Sequence, residues 1–409
     1  MKILLVHDYG TLSGGAEHAT ALLRDGLRRR GHDARLFAST ARPLALENVA
    51  DYTCYGSTSP ARRLVQTANP WAVRRLEAVL REFRPDVVHL RMFLTQLSPL
   101  VLRPLAAFPT LLHVGSYELI CPLLHKTLPD GSSCRHRAGV ACYRQGCVSL
   151  AGLARVALQQ RLRRRYQHPA AVVVANSEWT RRRLAADGIE AAEWVWTGVP
   201  ERPARPPLAP PPTIAYAGRL VRKKGVDVLV RAMPLVVAAR PEARLIVAGD
   251  GPERPALERL IADRALEPHV RLVGHRPRAE LEALLGGAWV QAIPSRWEDP
   301  FPNAAAEAMM RGTAVVASAW GGVTEIVREG ETGLLVPPGD SEALAGALLR
   351  LLHDRDLAER MGARSRDFAR AELTEDHFIQ RFERLYAGLR ASAPARAQSA
   401  LSDAAGITG

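Results

Sequence analysis

The sequence predicts an α/β protein made of two doubly wound parallel sheets. Three observations carry this expectation. Short apolar runs rich in β-branched residues alternate with segments of helical period, as strands buried on both faces require. The segment PERPARPPLAPPP (200–212) holds seven prolines and interrupts that alternation near the middle. The chain, at 409 residues, exceeds one ordinary core and suits two domains of roughly 200 residues.

Taken in order, KILLVHD reads as a first core strand, followed by a glycine-containing loop and the helical segment EHATALLRDGLRRRGH. ARLFAS is the next strand. A helix around Trp71 to Phe83 precedes the strand DVVHL, and TLLHV and AVVVANS are further apolar β runs. These make an N-terminal domain over 1–199. Residues 200–212 read as a linker, because so many prolines exclude regular structure. The pattern restarts over 213–373 with TIAYAG, RLIVAGD, VRLVG, VQAIPS, AVVAS and TGLLVPP as strands. Helices are expected at 226–240, 253–265, 278–286, 303–311 and about 341–352. A last helix is expected over 374–390, and the Ala/Ser-rich tail 391–409 reads as disordered.

Hydrophobic residues at 47% and charged residues at 24% are ordinary for a globular protein. The net charge of +13 is uneven: residues 1–200 hold 27 Lys and Arg against 15 Asp and Glu, so nearly all the excess sits there. Such a field favours anionic partners, phosphates or a phospholipid surface among them; an arginine-rich composition is the alternative. No recognisable RNA- or DNA-binding module accompanies the charge, so nucleic acid is not expected as a partner. The opening MKILLVHDYG has too short an apolar run for a signal peptide or a membrane span, so the expected compartment is the cytoplasm.

Ligands of open α/β sheets bind beyond the carboxyl ends of the strands. GRLVRKKG (218–225) falls at such an end, between a strand and a helix, and its cations would converge with a helix N-terminus on an anion. SRWEDPFPNAAAEAM (295–309) occupies an equivalent place and carries Asp299 and Glu307 eight residues apart across a helix start. Carboxylates so placed would hydrogen-bond hydroxyls at two ends of one polar ligand. A sugar nucleotide offers a diphosphate for the cations and hydroxyls for the carboxylates. Glu307 alternatively complements a helix dipole.

With GRLVRKKG, VAGDGPE, SRWEDPFPNAAAEAM, GGVTEIV and GETGLLVPPGD in this order, residues 215–340 resemble the C-terminal domain of the retaining, GT-B-type glycosyltransferases of family four (glycosyl transferases group 1). The resemblance implies two Rossmann-like domains facing a cleft, with the last helix crossing back to the first domain. It implies that Arg219 and Lys224 clamp the donor diphosphate, Arg222 and Lys223 being solvated. Glu307 would contact the ribose and Asn303 would belong to the donor site. Asp299 stands where the family's first glutamate falls, with a catalytic contact to the donor sugar.

The resemblance extends to the N-terminal half. Gly14 and Gly15, after the first strand and at a helix start, would let backbone N–H groups approach the donor phosphate; a tight turn is the alternative. No G-x-G-x-x-G is present, which argues against a dinucleotide fold. In LLHVGSYELICP (111–122) the alignment on Tyr117, Cys121 and Pro122 puts Gly115 where the family has a histidine and Ser116 where it has an aspartate. His113, two residues earlier, is the candidate catalytic substitute; a satisfied core histidine is the other reading.

Cys121, Cys134, Cys142 and Cys147 cluster at spacings of 13, 8 and 5. They lack the C-x2-C pairs of strong zinc signals, so a structural zinc and reduced thiols both stand as readings. RVALQQRLRRRYQH (155–168) interleaves basic and apolar residues, as an interfacial helix on anionic lipid would, or as a solvated face would. The expected function is transfer of a sugar from a nucleoside-diphosphate sugar to a hydroxyl of a glycan or lipid-linked acceptor, with anomeric configuration retained and no metal required for catalysis. The setting would be synthesis of a cell-surface polysaccharide or glycolipid at the inner face of the membrane. A non-catalytic nucleotide-sugar-binding protein and a same-fold epimerase are the alternatives.

Overall fold

The computed structural model describes residues 1–42, 46–60, 62–167 and 172–392. Most of the tail expected to be disordered (393–409), and the last residue of the basic segment, His168, lie outside the described residues. Contacts divide the chain into two units. The first gathers 1–124, 135–198 and the chain from 375 onward; the second gathers 125–134 and 199–374.

In the first unit, β1 (Lys2–Tyr9) leads through a loop to α1 (Gly15–Arg29), then β2 (Asp33–Ser39), β3 (Tyr52–Cys54), α2 (Arg62–Thr67), α3 (Pro70–Phe83) and β4 (Val87–Leu90). α4 (Leu102–Leu105), β5 (Thr110–Val114), α5 (Val140–Arg144), α6 (Leu150–Tyr166), β6 (Val172–Ala175), α7 (Glu178–Ala186) and β7 (Glu193–Trp194) follow. The local causes are plain. α1 has Glu17 in its first turn and Arg28 and Arg29 in its last, both favourable to the helix dipole. α3 starts at Asn69, whose side chain accepts from the Ala72 N–H at 3.0 Å, with Pro70 at the first helical position.

The seven strands are parallel in the order β3-β2-β1-β4-β5-β6-β7. Strand order therefore reverses between β1 and β4. Ile3, Leu5, Val87, Leu111 and Val174 of one sheet face bury against Leu23 and Leu27 of α1 and Phe378, Ile379, Phe382 and Tyr386 of the last helix.

The second unit begins with residues 199–212. This proline-rich stretch forms no helix or strand but is anchored at several points. Leu208 is buried in the core, its N–H donates to Glu359 at 2.7 Å, Arg205 pairs with Glu359 at 2.6 Å, and Trp289 Nε1 donates to the Ala209 carbonyl at 2.9 Å. Then come β8 (Thr213–Ala217), α8 (Val226–Ala239), β9 (Arg244–Ala248), α9 (Arg254–Asp263), β10 (Val270–Gly274), α10 (Arg278–Leu285) and β11 (Val290–Ile293). The unit closes with α11 (Asn303–Arg311), β12 (Ala314–Ser318), α12 (Val323–Ile326), β13 (Gly333–Val336), α13 (Ser341–His353) and α14 (Arg355–Glu372). Its six parallel strands run β10-β9-β8-β11-β12-β13, reversing between β8 and β11. The final helix, α15 (Glu375–Ala391), belongs to the first unit.

Candidate functional site

The order reversal in the second sheet opens a crevice beyond the carboxyl ends of β8 and β11, where chain connections leave in opposite directions. Both cation and carboxylate loops identified in the sequence emerge there. The Arg296 N–H donates to the Lys223 carbonyl at 2.8 Å, holding the two loops together. Gly225 is left-handed (φ +67°) at the start of α8, and a side chain on it would overlap the Pro294 carbonyl. Across the same loop, the Gly322 N–H donates to the Asp299 carbonyl at 2.8 Å; a side chain at Gly321 (φ +87°) would overlap the Asp299 backbone. Close backbone approach is thus built in at Gly225 against Pro294 and at Gly321 against Asp299.

Lys224 Nζ is ion-paired with the Asp299 carboxylate, which is 8% exposed. Lys223, expected to be solvated, is half-buried: its Nζ lies 3.9 Å from the centroid of the Trp297 ring, and Lys224 Nζ lies 5.6 Å from it. A ring two residues before Asp299 therefore gathers both lysines. Arg219 is exposed, as is Arg222. The Tyr216 hydroxyl, buried on β8, donates to the Arg219 carbonyl at 3.1 Å. Burial, and next the Asp299 carboxylate, push that phenol up, against the opposing charge of Arg219. Tyr216 thus ties down the cation loop within reach of the Asp299 charge, and the sequence did not reveal it because a tyrosine in an apolar strand carries no motif.

Asn303 opens α11 after Pro302 and Glu307 lies one turn further, both half-buried. Burial pulls the guanidinium of Arg311 down, while the Glu282 and Glu307 carboxylates act in the opposite sense. Glu298 is buried and accepts from Ser133 Oγ, while Asp299 pairs with Lys224.

In the first unit, Gly14 is the extended N-cap of α1 and Gly15 its first residue, at the β1/β4 reversal. Asp8 at the end of β1 is buried and accepts from Thr95 N and Oγ1, Gln96 N and Leu97 N at 2.6–2.8 Å. Burial raises its carboxyl despite these bonds. It fixes the segment after β4.

The catalytic role expected for His113 meets a physical obstacle. The residue is fully buried on β5, its ring 4.9 Å from that of Phe382, and its Nδ1 lies 3.2 Å from His89 Nε2. His89 Nδ1 in turn lies 2.7 Å from the Tyr386 hydroxyl. Burial, then the charge of Arg91, hold both imidazoles well below their ordinary range. A neutral imidazole under α15 is a core residue, the second of the two readings the sequence left open. Of Cys121, Cys134, Cys142 and Cys147, the first three are buried, and among the described residues no group of three or more His, Cys, Asp and Glu could hold a metal.

Most of the basic segment is helical, in α6, of which only Val156 is buried among the described residues. Leu150 and Leu158 are exposed at 67% and 46%, and Leu64 of the adjoining α2 at 75%. Burial lowers the Arg155 guanidinium, and Arg63 and Arg62 of α2 lower it further. No described helix is long and apolar enough to cross a membrane.

Known proteins fit this picture. Residues 201–368 match the family model of glycosyl transferases group 1, and 13–201 that of Glycosyltransferase Family 4. Over 190 residues the chain is 36% identical to glycogen synthase of Mycobacterium tuberculosis, covering 46% of this chain and 43% of the relative. Over 150 residues it is 33% identical to alpha-D-kanosaminyltransferase of Streptomyces kanamyceticus, covering 37% and 39%. The chain thus spans about two-fifths of the length of these curated relatives. Among solved structures, sucrose-phosphate synthase from Thermosynechococcus elongatus superposes with a TM-score of 0.75 at 24% identity, over 96% of this chain and 100% of that one. Anabaena HepE in complex with UDP-glucose superposes with a TM-score of 0.69 at 20% identity, over 95% and 100%; at such identities the likeness speaks to the fold. Two abutting family models over 13–368 and two singly reversed parallel sheets agree: the chain belongs to the GT-B-type glycosyl transferases of group 1.

Proposed function

We propose that the protein transfers a sugar from a nucleoside-diphosphate sugar to an acceptor hydroxyl and retains the anomeric configuration. The observation that carries this reading is the Lys224–Asp299 pair at the β8/β11 reversal, with Lys223 on Trp297 and Arg219 on the same loop. A diphosphate arriving there would draw Lys224 and Arg219 onto its oxygens. The Asp299 carboxylate, relieved of its lysine, would turn to a sugar hydroxyl. Glu307 on α11 would accept from the ribose, and Asn303 at the helix start would add a polar contact.

In the transfer step the acceptor oxygen bonds to the anomeric carbon as that carbon's bond to the β-phosphate oxygen breaks. The acceptor proton passes to the leaving oxygen on the same face, and the nucleoside diphosphate departs. Arg219 and Lys224 meet the charge that develops on the leaving group, a role in which one lost donor commonly costs ~10²–10³ in turnover. With that charge met by side chains, turnover would persist in EDTA.

The support for donor binding includes the UDP-glucose complex of Anabaena HepE; for the present chain the base and sugar are open to assay. A panel of nucleotide sugars, screened by thermal stabilisation and followed by anomer analysis of products, identifies the donor. Donor hydrolysis measured without acceptor separates a transferase from a binding protein. Arg219→Ala and Lys224→Ala are each expected to lower kcat/KM by ~10²–10³; unaltered turnover in both removes the assignment.

The exposed leucines of α2 and α6 amid arginines support a second element of the reading, contact with an anionic bilayer that presents a lipid-linked or glycan acceptor at the inner membrane face.

A further inference from the structure

The first sheet has its own order reversal, between β1 and β4, and the residue that follows β4 is Arg91. Its side chain is only 3% exposed. Nη1 donates to Thr20 Oγ1 of α1 at 3.3 Å, and Nε has no hydrogen-bond partner. Among the described residues no carboxylate comes within ion-pair distance of it; the nearest compensation is the longer-range charge of Glu17. Burial lowers the guanidinium to about 10, which still leaves it charged at neutral pH. A buried, half-bonded cation is costly unless something anionic completes it.

Gly115, just past β5, shows where that something would meet it. A Cβ on Gly115 would stand 3.2 Å from Arg91 Nη2, tighter than an ordinary contact, and 3.5 Å from Nε, so the guanidinium packs directly against the bare face of this glycine and a side chain at 115 would crowd it. Two further buried groups adjoin this point. Ser116 Oγ is the next residue's hydroxyl, and Asn176 places its Nδ2 3.5 Å from the Gly115 carbonyl; Ser116 Oγ and Asn176 Oδ1 both lack partners. A cation, a hydroxyl and an amide oxygen, all dehydrated and under-bonded, match an acid group flanked by a hydroxyl.

We propose that the carboxyl edge of the first sheet binds a sugar bearing an acid group, carboxylate or phosphate, with the acid on Arg91 and a neighbouring hydroxyl on Asn176 and Ser116. This deepens the transferase reading, on which it rests for one point only: the bound sugar is the acceptor, and the acceptor is anionic.

The test titrates the full chain by calorimetry with glucuronate, glucose 6-phosphate, inorganic phosphate and glucose. It is made in the Arg219→Ala/Lys224→Ala background, so that the cations of the second unit cannot take the anion. Glucuronate or glucose 6-phosphate is expected to bind at least tenfold more tightly than glucose and than inorganic phosphate, and which of the two wins identifies the acid. Arg91→Gln is expected to reduce that affinity to the level of glucose. Gly115→Leu, which keeps the charge but crowds the guanidinium and its approach, is expected to weaken it at least fivefold. Equal binding of charged and neutral sugars overturns the proposal, as does unchanged affinity in Gly115→Leu, the deciding variant should Arg91→Gln fail to fold. Selective binding with transfer to neutral but not acid sugars would leave the site standing and remove its role as the acceptor site, whereas selective binding with no transfer to any sugar would sink the transferase reading instead.

Discussion

His7, His89 and His113 stand on one face of three neighbouring strands, β1, β4 and β5, beneath α15. All three are fully buried, and Arg91 adds its charge to the desolvation that disfavours their protonation, bringing His7 down to about 3. The sign of the pH effect follows. Below the unfolded value of about 6.5 the unfolded chain takes up protons that the folded chain refuses, so stability falls on acidification. Each histidine contributes up to about 1.4 kcal/mol per pH unit in that window. The melting temperature is expected to drop steeply between pH 7 and pH 5, and less steeply in His89→Phe; parallel slopes in the two proteins would exclude the ladder as the cause. The sequence offered His113 as a catalytic candidate and a core residue alike. Nothing in one dimension shows that His89 and Tyr386, the latter 273 positions downstream, share a hydrogen-bonded chain with it. The pairing of Lys224 with Asp299 was hidden for the same reason, although both residues were already singled out by type and position.

Among the elements, α15 does the most for the first unit. Phe378, Ile379, Phe382 and Tyr386 form one face, and Arg30 adds ion pairs to Asp376 at 2.7 Å and Glu383 at 2.9 Å. Removing a fully buried phenylalanine ring typically costs ~3–5 kcal/mol, so Phe382→Ala should lower stability to denaturant by that order. A loss below 1 kcal/mol would mean the helix is only loosely docked. The strands and most helices were readable from periodicity, since a parallel sheet covered on both faces needs uninterrupted apolar runs. α14 was not. Its buried stripe is Ala358, Met361, Gly362, Ser365 and Ala369, and apart from Met361 such small residues give little hydrophobic signal. They are small because the helix lies close to the chain at Gly312, whose carbonyl a side chain on Gly362 would overlap.

At the scale of the molecule, the positive excess of residues 1–200 and the exposed leucines of α2 and α6 belong to the same unit. Sedimentation with phosphatidylserine vesicles at physiological salt is expected, to weaken severalfold at 0.5 M salt as screening sets in, and to weaken also in Leu64→Ser/Leu158→Ser. No sedimentation at physiological salt would rule the membrane contact out. Two domains were legible from the proline-rich break, but the detour of 125–134 into the second unit was not, since no composition shift marks it. Both passages of the chain between units, at 198–199 and 374–375, run side by side: the Val199 N–H donates to the Leu373 carbonyl at 2.8 Å.

That arrangement has a consequence for biosynthesis. A ribosome making this polypeptide finishes the first sheet long before α15 emerges, and at cellular elongation rates the interval is roughly ten to thirty-five seconds. Throughout it the strip formed by Ile3, Leu5, Leu23 and Leu27 has no cover of its own. The nascent chain is therefore a chaperone client by topology, and a premature stop between residue 199 and the start of α15 at Glu375 would release it with that greasy strip still bare.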